Sequence, residues 1–132
     1  MSTPEVEEFA QRLVEFVRDH AITSGNVMLN PNAKGLRAKR LREAAQICTP
    51  VEFARLVIPE VVDTTVFFLL NAIDNDHLKL TYTASNGKTV DWVPDADNGG
   101  LGGWYASGEW PEKYSEHPYI DDEGNLPPPE SE

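Results

Sequence analysis

The chain has 132 residues, a single cysteine and a formal net charge of −11. Its length favours one domain with a substantial core, and a single cysteine excludes an internal disulfide. The longest uninterrupted apolar run, from Val66 to Leu70, is far shorter than the about 20 residues that cross a bilayer, so we expect no membrane segment.

A first helix is predicted over residues 4–20. Ser2 or Thr3 can cap it, Pro4 suits its first turn, and acidic residues follow where the positive end of the helix dipole favours them. Apolar residues then recur at the three- and four-residue spacing of a helix face. The pattern ends near His20, and we expect the Ser-Gly-Asn sequence at residues 24–26 to interrupt the helix.

A second helix is predicted over residues 34–47 and begins with a basic segment. Five positive charges lie between Lys34 and Arg42, and on a helix they project in nearly every direction. A nucleic-acid surface needs its charges on one face and aromatic side chains for base stacking. We therefore expect no nucleic-acid binding, and instead an exposed helix that faces either the core edge or the acidic C-terminal part, within the chain or across a dimer. Cys48 ends its apolar stripe and is predicted to be a small core residue rather than a nucleophile.

Two further helices are predicted, over residues 50–57 and 59–75. The sequence from Thr49 to Glu52 is a capping box, and Pro59 disfavours helical geometry at Ile58, so we expect a bend there. Apolar residues cover most of the second of these helices, which predicts a central helix buried on several sides. Its remaining stripe consists of Glu60, Asp63, Thr64, Phe67, Asn71 and Asp74.

Two strands are predicted, over residues 78–84 and 88–93. A three-residue loop, residues 85–87, pairs Tyr82 with Val90 and Leu80 with Trp92, so that apolar side chains share one face. This register places Gly87 in a left-handed bulge and Trp92 in the core. A lone hairpin is marginally stable, so we expect it to lie on the helices or to gain a third strand around residues 103–106.

The fold class that these elements predict is α+β. Three to four helices pack with a small antiparallel hairpin or three-stranded sheet, followed by a long irregular acidic C-terminal segment. We expect one globular domain over residues 1–120, in which residues 98–120 form an ordered loop. Residues 121–132, which contain three consecutive prolines, are predicted to be an acidic flexible tail.

The sequence favours a protein without catalysis, metal or cofactor. The three histidines are far apart, and the segment from Asp74 to His77 is typical of a solvated helix end. Residues 95–100 begin like a calcium loop, but Ala106 stands where a bidentate glutamate is needed. Asp63 and Asp74 lie about 16 Å apart along a helix, too far to act on one glycosidic bond.

The C-terminal third combines acids with aromatic side chains. Residues 91–132 carry 11 acidic groups and one basic group, a field that attracts basic partners and repels nucleic acid and anionic membranes. Tyrosine and tryptophan are enriched at binding hot spots, although indoles also close cores. The predicted partner-binding residues are Trp104, Tyr105, Glu109, Trp110, Tyr114, Tyr119, Asp121 and Asp122.

Three motifs resemble a pattern in small bacterial proteins: LLNAID at residues 69–74, GGWY at residues 102–105, and the spacing from Trp110 to Tyr114. The acidic, cysteine-poor profile is similar to that of immunity proteins that neutralise secreted bacterial toxins. This resemblance implies a protein-binding module, immunity- or adaptor-like, with a basic protein as partner. The polar N-terminus, which lacks a signal-peptide pattern, favours the cytoplasm.

Two alternatives stay open. The first is a small-molecule-binding protein or enzyme whose pocket lies between the polar stripe of the central helix and the glycine-rich segment. The second is an acidic mimic of nucleic acid, which requires carboxylates spaced like phosphates along one surface. A homodimer is compatible with each of these hypotheses.

Overall fold

The computed structural model, which describes residues 3–92 and 100–117, is mostly helical with one small antiparallel sheet. The α+β class is therefore confirmed. The helices are α1 (Pro4–Leu13), α2 (Asp19–Leu29), α3 (Leu36–Ile47), α4 (Pro50–Asp74), α5 (Gly100–Ala106) and α6 (Glu109–Tyr114), and the strands are β1 (Leu80–Thr83) and β2 (Thr89–Trp92).

The N-terminal helical segment is longer than predicted. Thr3 caps α1 by accepting a hydrogen bond from the amide of Val6 at 3.3 Å. A π-helical turn, Val14–Arg18, then joins α1 directly to α2, which runs through residues 24–26 to Leu29. The predicted end near His20 is wrong, because Ser and Gly cost at most about 1 kcal/mol in a helix and residues 24 and 25 are half-buried.

The helix α4 is continuous over 25 residues, so the predicted division into two helices at Pro59 is wrong. Two contacts hold Glu60, the residue after the proline. Its side-chain carboxylate pairs with Arg37 at 2.9 Å, and its backbone carbonyl accepts a hydrogen bond from the Thr64 hydroxyl at 2.8 Å. These contacts offset part of the lost backbone hydrogen bond at the proline. The predicted burial on several sides is also wrong, since in α4 only Glu60, Ala72 and Ile73 are buried.

The core of the described residues consists of two small clusters. In the larger one, Val17, Ala72, Ile73 and Leu78 are buried, and Trp92 packs against them as predicted. In the smaller one, Leu41 of α3 packs against side chains from α2 and α4. Cys48 is half-buried at the end of α3.

The hairpin has the predicted register. Leu80 pairs with Trp92 and Tyr82 with Val90, and Gly87 adopts a φ of 89° in the loop. The sheet has two strands among the described residues, and the third strand predicted around residues 103–106 is wrong because that segment is part of α5.

The predicted loop over residues 98–120 is helical where the structure describes it, except at short connections. Its glycines adopt helix in α5 because a carboxylate of α4 holds the first amides, as shown below. The predicted tail, the calcium-like residues 95–99 and three predicted binding residues (Tyr119, Asp121, Asp122) lie outside the described residues.

The capping box of α4 is present as predicted, with Thr49 Oγ1 accepting from the Glu52 amide at 3.2 Å and Glu52 Oε1 accepting from the Thr49 amide at 2.8 Å. We expect Thr49→Ala to lower the free energy of unfolding by about 1 kcal/mol, because the Glu52 amide loses the side-chain oxygen that caps it. Urea unfolding measures the change. The control is Thr23→Ala at an exposed site in α2, which we expect to be neutral or slightly stabilising. Equal effects of the two substitutions would contradict the capping role.

Candidate functional site

The polar stripe of α4 forms a seam with α3, α5 and β2. Each of its three carboxylates has a defined partner in this seam. Glu60 pairs with Arg37 of α3, Asp63 accepts a hydrogen bond from the Tyr105 hydroxyl at 2.6 Å, and Asp74 receives donors from β2 and α5. The stripe predicted from helical periodicity is therefore the surface on which the C-terminal part of the chain lies.

Asp74 holds the start of α5. Its Oδ1 accepts the amide of Leu101 at 2.8 Å and the indole N–H of Trp92 at 3.2 Å, and its Oδ2 accepts the amide of Gly102 at 2.7 Å. The amides at a helix start lack intrahelical partners, and a carboxylate also complements the helix dipole. This interaction explains how a glycine-rich sequence forms a helix at this position.

The glycines allow this close approach. Gly100 has a φ of 74°, and a Cβ atom there would lie 2.5 Å from Asp74 Oδ2. A Cβ atom on Gly102 would lie 3.3 Å from Asp74 Oδ2 and 3.3 Å from the Phe67 ring. Gly100 and Gly102 thus allow α5 to pack closely against the end of α4.

A polar cavity of about 440 Å³ lies between α4, α3, α2 and α5. The Glu60–Arg37 pair forms part of its wall, and Glu60 is only 6% exposed. Asp63, Tyr105 and the rings of Phe67 and Phe68 form further parts of the wall, and we call this space the polar cavity. Of the polar stripe near which the alternative small-molecule pocket was predicted, Asp63 lines this cavity, whereas Asn71, Asp74 and the described glycines of α5 do not.

An apolar groove of about 530 Å³ lies on the other side of the Asp63–Tyr105 pair. Ile58, Pro59 and Val62 of α4 form one wall, and we call this space the apolar groove. The opposite wall is formed by Trp110, Pro111 and Tyr114 of α6. Asp63 and Tyr105 line both spaces.

The structure separates the predicted partner-binding residues. Trp110 and Tyr114 meet in the apolar groove, and the Tyr114 side chain is 74% exposed. Glu109 is exposed at the start of α6, whereas Tyr105 points to Asp63. Trp104 is 45% exposed and lines neither the polar cavity nor the apolar groove.

Sequence reasoning missed the contribution of other helices to these spaces. Ile58 and Val62 are one helical turn apart on α4, and this spacing, next to Asp63, is the signal that could have indicated a groove wall. Arg37 and Ser24 line the polar cavity from α3 and α2. No local pattern in the sequence indicates that these two residues approach α4.

The polar side chains at and just after the end of α4 contact different parts of the chain. Asp74 points to α5, while Asp76 binds Lys79 at 2.6 Å, and this hydrogen bond and the lysine charge lower the pKa of Asp76. The His77 ring stacks on Phe16 at 3.8 Å between ring centroids. Within residues 3–92 and 100–117, no group of three or more His, Cys, Asp or Glu side chains is placed to hold a metal ion.

We expect Asp74→Ala to lower the free energy of unfolding by about 2–3 kcal/mol, because it leaves amides of α5 without their charged acceptor. Urea unfolding followed by tryptophan fluorescence measures this change. The control is Asp19→Ala, which removes an exposed carboxylate paired with Arg18 at 3.2 Å and should stay within about 1 kcal/mol of wild type. A loss of similar size in both variants would contradict the role assigned to Asp74.

Two glycines of α5 provide a matched pair. Gly100→Ala should destabilise the fold by about 2 kcal/mol or more, because a left-handed φ disfavours alanine and the new Cβ atom displaces Asp74. Gly103→Ala, at which a Cβ atom meets nothing within 4 Å, should stabilise the helix by about 0.5–1 kcal/mol. The same urea experiment compares them, and equal signs for the two changes would refute this packing of α5 on α4.

Among the described residues, α4 is long and apolar enough to cross a membrane by length and composition, with a mean hydropathy of 1.7 in its most apolar window. Core helices of soluble proteins pass the same test.

No protein-family model, no curated protein and no solved structure matches this chain. The geometry of the seam, the polar cavity and the apolar groove therefore carries the functional conclusion.

Proposed function

We propose that this protein is a non-catalytic protein-binding module that holds a basic partner at the apolar groove and the neighbouring surface of α6. The observation that carries the proposal is an apolar groove walled by Trp110 and Tyr114 on a helix that also exposes acidic side chains. The proposal includes an immunity- or adaptor-like role in the bacterial cytoplasm, away from membranes and nucleic acid.

The apolar groove offers the chemistry of a binding hot spot. Trp110 is half-buried and Tyr114 is exposed, so an entering side chain would contact both an indole and a phenol. Rigid aromatic side chains lose little conformational entropy on binding and contribute a large contact area. Ile58 and Val62 complete an apolar environment for an aliphatic or aromatic anchor.

The exposed acidic side chains on and next to α6 favour a basic partner. Glu109, Glu112 and Glu116 are exposed on or next to α6, and Lys113 is the one basic residue among residues 91–132. Acids around an apolar centre speed the encounter with a basic surface and disfavour acidic competitors. We therefore expect the partner segment to present an apolar side chain flanked by lysine or arginine.

The partner is expected to be a different protein rather than the basic helix α3 of a second copy. At least two of the five basic side chains predicted to be exposed there make contacts inside the chain. Arg37 pairs with Glu60, and Arg42 donates a hydrogen bond to the carbonyl of Ala33 at 2.7 Å. The ion pair neutralises one positive charge of α3, and the hydrogen bond holds Arg42 against its own chain.

The absence of catalysis is supported by how α4 uses its carboxylates. Glu60, Asp63 and Asp74 are each bound to a partner that fixes the position of another element. A general acid or base must instead reach a substrate within about 3 Å. The hydrogen bonds of these three carboxylates join α4 to other elements, which gives each carboxylate a structural role.

Selection of random 12-residue peptides against the full chain tests this function. We expect the selected peptides to carry an aromatic or aliphatic residue next to Lys or Arg. For the best of them, measured as a synthetic peptide by fluorescence polarisation, Tyr114→Ala should weaken binding about tenfold, as for a hot-spot residue. Raising the salt concentration from about 50 to about 300 mM should weaken binding further, because the charges are exposed.

The matched control is Tyr82→Ala, which removes a tyrosine that is 62% exposed on the hairpin and should leave peptide affinity unchanged. Both tyrosine side chains are largely exposed, so neither substitution should affect folding. Selected peptides that are neutral or acidic would overturn the proposal. So would equal losses of affinity in the two tyrosine variants.

A further inference from the structure

We propose that the polar cavity binds a small organic cation, an alkylammonium group attached to a short aliphatic chain. This site shares the Asp63–Tyr105 pair with the apolar groove, but the proposal does not depend on the partner assigned to that groove. The proposal is based on the charges, rings and volume of the cavity wall.

Asp63 is the group that would bind the ammonium. Within residues 3–92 and 100–117, its carboxylate accepts a hydrogen bond only from the Tyr105 hydroxyl, at Oδ1. The second oxygen, Oδ2, is therefore available for a charge-assisted hydrogen bond. Because Tyr105 fixes Oδ1, the carboxylate is held in position before the ligand arrives, which lowers the entropy cost of binding.

The formal charge of the cavity wall favours a cation. Among residues 3–92 and 100–117, three charged side chains line the cavity: Arg37, Glu60 and Asp63. Arg37 and Glu60 neutralise each other through their contact at 2.9 Å, which leaves the formal charge of Asp63. An anion would have to approach this carboxylate, whereas an ammonium would complete a second ion pair beside the first.

The remaining wall suits the rest of such a ligand. The rings of Phe67, Phe68 and Tyr105 line the cavity, and aromatic faces attract ammonium groups while their edges contact methylene carbons. Ser24 adds a hydroxyl that can accept one of the remaining ammonium hydrogens. A volume of about 440 Å³ lies within the usual range for small-molecule sites.

Titration of the ¹⁵N-labelled full chain with n-butylammonium tests the site by NMR. We expect saturable shifts of the amide signals of Thr64, Tyr105 and Ala106 at concentrations up to about 10 mM. Butyrate is the matched control ligand, because it has a similar chain with the opposite charge, and it should leave these signals unchanged. Shifts spread over the acidic surface without saturation would show non-specific attraction to a protein of this charge and would overturn the proposal.

Asp63→Asn is the matched variant, because asparagine still offers a side-chain oxygen to Tyr105 and removes only the charge. We expect its affinity for n-butylammonium to fall at least tenfold, whereas Asp91→Asn on the exposed hairpin should retain wild-type affinity. Unchanged affinity in Asp63→Asn would refute the assignment of Asp63. If Asp63→Asn does not fold, the comparison of n-butylammonium with butyrate on the wild-type chain still decides the proposal.

Discussion

The carboxylate of Asp74 is the interaction on which the arrangement of the C-terminal part depends. It accepts N–H donors from Trp92, Leu101 and Gly102, and so joins the end of α4 to β2 and α5. Helix α5 in turn carries Tyr105, and α6 follows it directly in the chain. The polar cavity and the apolar groove therefore share one requirement, which is that α5 stays on α4.

The Asp63–Tyr105 hydrogen bond is the second constraint on the site. It forms part of the wall of both the polar cavity and the apolar groove, so a change in the position of Tyr105 alters both spaces. The two spaces nevertheless differ in chemistry. The Glu60–Arg37 pair gives one wall a polar character, while Ile58, Val62 and the side chains of α6 make the other apolar.

The features that were predicted correctly are those that interactions within a short segment determine. The capping box at Thr49, the hairpin register and the polar stripe of α4 each follow from spacing within a short segment. Residues 24–26, Pro59 and the glycines of α5 were misread because their intrinsic preferences amount to about 1–3 kcal/mol, which tertiary contacts can exceed. For α5 the decisive contact is Asp74, which is 26 residues before Gly100 in the sequence and has no local signature. The walls of the polar cavity and the apolar groove come from several helices, so no single segment could indicate them.

The acidic residues of α4 and those of α6 have different surroundings. The carboxylates of α4 are used within the chain, since Glu60, Asp63 and Asp74 all accept hydrogen bonds from other elements. Those of α6 extend into solvent beside aromatic side chains that are only partly covered. A carboxylate that is ion-paired inside the chain, as Glu60 is with Arg37, adds little to the field that an approaching molecule meets, whereas an unpaired carboxylate keeps its charge. The exposed glutamates on and next to α6 would therefore contribute more to the attraction of a basic partner than the ion-paired Glu60 does.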